Sequence, residues 1–220
     1  MPRIACFVFA AVMCLPSNAG AQTPATYIEA SGLISTQGST PSGEFGGTGV
    51  GGTSPGIGAS FGVELHPSVS LVAEFSFPSR LEVVQDFSHF LVWRDDDRYR
   101  DMTLSETVHV RLGSGRARPE LVGGVSFVDQ QLAERRAYGG DQFSNPSPLG
   151  PYSAWQYQSS WTLGIVFGGD VPIRVREHFA IVPQFRVYMI QRNFEFGSAT
   201  LGLASTVIRP AIAGRWAFGP

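Results

Sequence analysis

The stretch TVIRPAIAGRWAF, residues 206–218, decides how this chain is read. Taken alternately, one set of positions holds Ile208, Pro210, Ile212, Gly214, Trp216 and Phe218. The other holds Val207, Arg209, Ala211, Ala213, Arg215 and Ala217. Successive side chains on a strand point to opposite faces, so the run has one apolar face and one face of small residues with two arginines. In a soluble sandwich the apolar face would be the core. In a membrane barrel it would meet lipid, and the small, charged face would line the lumen. Trp216 and Phe218, at the end of the strand, stand where a barrel carries an interfacial aromatic girdle.

Seven further segments alternate: residues 27–35, 57–65, 69–77, 102–112, 116–128, 159–169 and 179–189. In the second, Ile57, Ala59, Phe61, Val63 and Leu65 alternate with Gly58, Ser60, Gly62 and Glu64. After a turn at His66, Pro67 and Ser68, Val69, Leu71, Ala73, Phe75 and Phe77 alternate with Ser70, Val72, Glu74 and Ser76. This pattern predicts a hairpin with Glu64 and Glu74 on one face. Glu106 breaks the apolar parity of its strand and is expected near a rim. Pro119, Pro183 and Pro210 each remove a ladder donor, so bulges are expected there. No segment keeps a helical period over three turns, and 26 glycines disfavour helix.

The connections between these strands run long, short, long, short, long, medium, long. Short periplasmic turns and longer outer loops give a membrane barrel that order, and an even strand number returns both ends to one side. Strands of about nine to eleven residues also suit a tilted crossing. The fold expected is all-β: an eight-stranded antiparallel up-and-down transmembrane β-barrel. The charged tract at residues 94–101, with Asp95, Asp96, Asp97 and Asp101 among Arg94, Arg98 and Arg100, is read as a solvated mixed-charge loop rather than a calcium site.

Residues 1–21 read as a secretory signal: Arg3, an apolar run of about a dozen residues, then Ala19, Gly20 and Ala21 before the cut. Residues 22–220 then form the barrel domain. Both cysteines, Cys6 and Cys14, fall in the signal, so the mature chain has no disulfide and takes its stability from burial or from a bilayer. Cleavage also removes Arg3, one of 16 basic residues against 18 acidic, and leaves a net charge near −3. That balance gives no reason to expect nucleic acid. A charged fraction of 15% is below the usual quarter of a soluble domain.

The parity opposite the apolar one collects Glu29, Glu64, Glu74 and Glu120 with His109, Arg111, Arg118, Arg186, Arg209 and Arg215. Unpaired charges are too costly for a soluble core, but a barrel interior can hold them as ion pairs. Glu64, Glu74, Glu120, Arg111, Arg186, Arg209 and Arg215 are therefore expected to form a lumen ion-pair network. Eight strands leave room for little more than such side chains.

With these residues in view, the mature chain resembles the small eight-stranded outer-membrane β-barrel proteins. The resemblance is carried by residues 164–189, with a turn at Asp170, Val171 and Pro172 and the run VPQFRV at 182–187; by the glycine-rich strands of residues 56–77; and by the aromatic closing strand. It implies a bacterial outer-membrane location, a monomer among membrane lipids, and insertion by the barrel-assembly machinery. Gly219 and Pro220 follow Phe218, where the family usually ends on an aromatic residue.

Motifs for chemistry are weak. Gly58, Ser60 and Gly62 match the GxSxG of hydrolases but lie within a strand, with no helix after them. Gly47, Gly49 and Gly52 match GxGxxG without a following helix. His66, His89, His109 and His178 show no paired ligand spacing, so no metal, cofactor or catalytic residue is expected. Tyr152, Trp155, Tyr157 and Trp161 fit an outer girdle or a binding surface. The expected function is a non-enzymatic outer-membrane barrel, plugged in its lumen, with a structural, adhesive or recognition role. An outer-membrane lipid hydrolase and a soluble periplasmic lipocalin-like binding barrel are the alternatives.

Overall fold

The computed structural model describes residues 25–39, 51–88, 91–113, 117–141, 149–191 and 203–218, and the expected signal lies outside them. Ten strands follow in order: β1 (Thr26–Ser39), β2 (Gly52–His66), β3 (Val69–Pro78), β4 (Leu81–Ser88), β5 (Leu91–Arg111), β6 (Glu120–Asp141), β7 (Gln156–Asp170), β8 (Ile173–Arg174), β9 (Phe179–Ile190) and β10 (Leu203–Phe218). Eight of them form an antiparallel ring in the order β1, β2, β3, β5, β6, β7, β9, β10. The ring closes because β10 pairs back onto β1, from Thr26 opposite Phe218 to Ser39 opposite Leu203. β4 adds a ladder to the upper part of β5, and β8 a two-residue ladder to β9.

Alternation decides which way each side chain faces. Ile212 is 66% exposed and Ile165 60%, whereas their neighbours Ala213 and Val166 are 2% and 0% exposed. Ile28, Ile57, Phe61, Phe75, Leu104, Val108, Val125, Leu163, Phe167 and Ile181 continue the same outer belt. A belt of this size is stable against lipid, not water. A lipocalin-like barrel would carry the inverse pattern, so that alternative fails on the outer surface. Inside, Tyr27 lies opposite Gly62, and a Cβ on Gly62 would meet the tyrosine ring at 2.1 Å. The glycine makes room for the aromatic side chain in a narrow lumen.

Three expectations need correction. The segments 78–101 and 129–158, expected as long polar connections with a weak strand-like core only at Leu81 to Val84, carry much more strand: β4 runs over Leu81–Ser88, β5 begins at Leu91 and β6 runs on to Asp141. Charged cross-strand partners hold this extension, Asp95 opposite Arg136 and Asp96 opposite Arg135, and apolar periodicity carries no record of such pairs. Glu106 is not at a rim. It lies mid-belt on the outer parity, opposite Ala73 on β3 and Val125 on β6.

Nor do Pro183 and Pro210 sit in bulges, since the β9–β10 ladder passes both in unbroken register. The β1–β10 ladder instead omits Ile34 and Ser35, opposite Pro210 and Arg209, and resumes in the same register. A proline in a closed ladder deletes a hydrogen bond without requiring an extra residue. Pro119 precedes β6, and its carbonyl accepts from the Leu112 amide at 2.7 Å.

Replacing Ile165 by Arg should destabilise the barrel by about 2–4 kcal/mol, and replacing Glu106 by Leu should stabilise it by about 1–2 kcal/mol. Equilibrium urea unfolding in lipid vesicles measures both, and the two variants are expected to move in opposite directions.

Candidate functional site

The lumen is the site that the fold builds most fully. At its periplasmic end, Glu29 on β1 is the direct cross-strand neighbour of Arg215 on β10 and accepts from its Nε. Arg215 Nη2 reaches across to Glu120 Oε2 at 3.0 Å, and its guanidinium lies 4.3 Å above the Tyr27 ring. Arg111, opposite Glu120 on the next strand pair, donates to it at 3.3 Å and to Glu64 Oε1 at 2.8 Å. Gln184 and Ser60 add bonds to Glu29 Oε2 at 2.8 and 2.9 Å. The serine of the GxSxG run is thus a structural donor to a lumen carboxylate.

One level higher, Arg186 bridges Glu74 at 2.6 Å and Asp170 at 2.5 Å. His109 completes this layer, with Nε2 3.2 Å from Glu74 and Nδ1 3.5 Å from Asp170. Glu74, His109 and Asp170 stand close enough together to hold a divalent ion. The Arg186 guanidinium already donates to both carboxylates, so a cation of the chain itself fills that role.

Arg209 behaves differently from the expected ion-pair member. It lies directly opposite Arg186, and like charges facing each other across a ladder repel. Arg186 turns to the carboxylates. Arg209 donates to Ser35 Oγ at 3.1 Å, Ser76 Oγ at 2.5 Å, Thr103 Oγ1 at 2.9 Å and the Asp101 carbonyl at 2.9 Å, beneath the face of Tyr188 at 4.7 Å. Above it, Val128, Val166, Tyr188, Ile190 and Val207 form a buried apolar cluster. Between the layers lies a cavity of about 40 Å³ bordered by Glu29, Glu74, Arg186 and Arg209. It has room for water but for no solute.

Past the apolar belt, β5 and β6 continue as a ribbon with β4 on its flank. Arg136 makes a two-point pair with both oxygens of Asp95 on the lumen parity, one bond 2.8 Å long, and Arg135 Nε and Nη2 both donate to Asp96 Oδ2 on the outer parity at 2.8 and 2.5 Å. Tyr152 and Trp155 each lie 4.4 Å from the Arg135 guanidinium, so residues 149–155 fold back against the ribbon. A cavity of about 190 Å³ opens beside Asp95, Glu134, Arg136, Tyr138 and Ser153. Tyr157 and Trp161 remain exposed on β7 beside the belt. The four aromatics expected as one girdle therefore divide between the ribbon and the lipid boundary.

No family model and no curated protein matches the chain. Solved structures do. Ail, the attachment invasion locus protein of Yersinia pestis, superposes with a TM-score of 0.51 at 10% identity, over 90% of this chain and 100% of its own. Its complex with the heparin analogue sucrose octasulfate gives a TM-score of 0.50 at the same identity and coverage. OprG of Pseudomonas aeruginosa gives 0.46 at 12% identity, over 91% of this chain and 99% of its own. The fold is that of the small eight-stranded outer-membrane β-barrel proteins.

A closed barrel of this fold with an apolar belt belongs in the bacterial outer membrane. The shorter connections, from β2 to β3, from β5 to β6 and from β7 to β9, mark the periplasmic end, and the ribbon rises on the outside. Of the lumen residues read from sequence, the structure brings Glu64, Arg111, Glu120, Arg215, Glu74 and Arg186 into ion pairs and routes Arg209 to neutral oxygens. Glu29 and His109 were visible on the lumen parity but stood outside the expected network. Asp170 was missed because it was read as part of a turn; it is the last residue of β7, and its parity signal was available.

Two outcomes are expected of this outer-membrane barrel. Arg186→Met strands Glu74 and Asp170 without their cation and should cost about 3–5 kcal/mol, read from the urea midpoint in vesicles. Outside the membrane, burial and the neighbouring Asp95 and Glu134 push the Asp97 carboxyl up to about 7, against the pull of Arg136. The folded ribbon then holds a proton that the unfolded chain gives up nearer pH 4, so the ribbon gains stability as pH falls through 7 and loses it above. Protease cleavage within residues 91–101 should be slower at pH 5.5 than at pH 8, and Asp97→Asn should flatten that difference.

Proposed function

We propose that this chain is a non-enzymatic, sealed outer-membrane barrel that works at the cell surface in attachment or recognition, through the ribbon that β5 and β6 carry outward. The observation that carries the reading is the lumen. Two layers of ion pairs, the Arg209 hydroxyl cluster and an apolar plug stand one above another across an interior that eight strands already make narrow. With passage through the barrel blocked, contact chemistry is left to the outer ribbon, where paired arginines and aromatic rings form an exposed surface. The barrel-assembly machinery would insert it, and it would act as a monomer. A lipid-hydrolase reading has little support, because Ser60 faces the lumen and is bonded to Glu29.

Planar-bilayer recording tests this reading. The unmodified barrel should give no steady large single-channel current, and Glu74→Ala, which leaves Arg186 with one carboxylate fewer, should raise the leak. Large stable openings from the unmodified chain would overturn the sealed lumen, and turnover of a phospholipid ester by refolded protein would overturn the non-enzymatic reading.

A further inference from the structure

Three arginines on the outer face of the barrel stand outside the lumen network, and of them Arg98 has an ion-pair partner within the ribbon, Glu82 at 3.1 Å. Arg98 and Arg100 share the outward parity of β5 with Met102 and Leu104. Arg80 sits exposed in the link from β3 to β4, one residue before Leu81, which pairs with Tyr99. That places Arg80 beside Arg100, and the two oppose each other as like charges. From Val110, at the periplasmic end of β5, to Arg100 is ten steps along the strand. At barrel tilt these span about 25 Å, the height of an apolar band. The three cations therefore stand at the level of the outer-leaflet headgroups.

Their bonding is incomplete. The side chain of Arg100 makes one hydrogen bond among the described residues, from Nη2 to Gln131 Oε1 at 2.5 Å, and its guanidinium lies 4.4 Å over the Phe77 ring at the top of the belt. Arg100 Nε is buried with no hydrogen-bond partner. Arg98 Nε is 3.1 Å from Glu82 Oε1 but off the hydrogen-bonding direction, and its guanidinium rests on Trp155 at 4.4 Å. Arg80 is exposed and faces the like charge of Arg100. Of the nearby carboxylates, Asp129 attracts Arg100 through space while accepting from Gln131 at 2.7 Å and Ser159 at 2.8 Å, and Glu82, the partner of Arg98, is largely exposed. Adjacent like charges held on rigid strands with unused forked donors match an anion that accepts from both at once.

We infer that Arg80, Arg98 and Arg100 form a clamp for the phosphate of an outer-leaflet lipid, with Phe77 and the belt below it receiving the acyl chains. The site goes beyond the proposed surface role and does not depend on it. The apolar ring beneath the arginines favours a membrane lipid over a free anion, because the same approach that brings the phosphate to the clamp lays hydrocarbon against Phe77, Phe75 and Leu104.

Native mass spectrometry of the folded, detergent-solubilised chain tests the inference, with a diphosphorylated acylated disaccharide as probe and the same lipid stripped of phosphate as comparison. The phosphorylated lipid should be retained at least about tenfold more strongly, since a hydrogen-bonded charge pair is lost in the comparison. Arg80→Gln, which removes an exposed side chain without a described hydrogen bond, should reduce that preference several-fold. Arg98→Gln together with Arg100→Gln should abolish it, while Arg176→Gln at the periplasmic mouth should leave it unchanged. Heat-modifiable migration on gels verifies folding of each variant. Equal retention of the two lipids, or an unchanged preference in folded Arg80→Gln, would overturn the site. Full displacement of the lipid by millimolar inorganic phosphate would overturn its assignment to a lipid and leave a free-anion site.

Discussion

Everything in this molecule depends on the ladder between its first and last strands. A sheet edge in a bilayer exposes amide and carbonyl groups that neither lipid nor water can satisfy there, so eight amphipathic strands are viable only when β10 meets β1. Closure then fixes the rest. The apolar parity must face outward all the way round, and the other parity is forced into a space too narrow for anything but its own side chains. Glycines such as Gly62 and the small residues of β10 follow from that crowding.

Within the lumen the constraint becomes electrostatic. Arginines brought in by closure must each find an acceptor from a different strand, because a guanidinium without one is costly away from bulk water. Arg186 and Arg209 make the point, since they are direct cross-strand neighbours and would repel if both turned the same way. One goes down to Glu74 and Asp170, the other up to serine, threonine and main-chain oxygens. The divergence ties six strands together around two residues, with the apolar cluster above them inside the barrel. The proposed seal is thus a by-product of satisfying charge.

Outside the membrane the same chain follows other rules. The ribbon of β5 and β6 needs no apolar face, because water satisfies its open edges and paired charges supply its register. Asp97, crowded by Asp95 and Glu134, responds to pH near neutrality, and the arginines at the foot of the ribbon meet the headgroup layer. A stem filled by its own side chains and a charged outer surface are consistent with one another, since each uses the solvent in which it sits.

The alternation of eight segments, that of Ile208, Ile212 and Trp216 against Arg209 and Arg215 among them, was enough to set the number of strands in the ring, the lipid face and most of the lumen charges, because a two-residue period is written directly into the order of residues. Partners were a different matter. Nothing local distinguishes Arg209, which bonds to Ser76 and Thr103, from Arg186, which bonds to Glu74, and Asp170 was hidden by its place beside a proline turn. Residues 94–101 looked like solvated loop because their order comes from Arg135 and Arg136, some forty positions away. Glu106 sits mid-belt and Pro210 passes without a bulge because height and register are properties of the closed ring. Which face each residue takes was legible from the order of residues, since that is a property of one strand. Which charges meet was not, because that depends on strands distant in sequence being held side by side by closure.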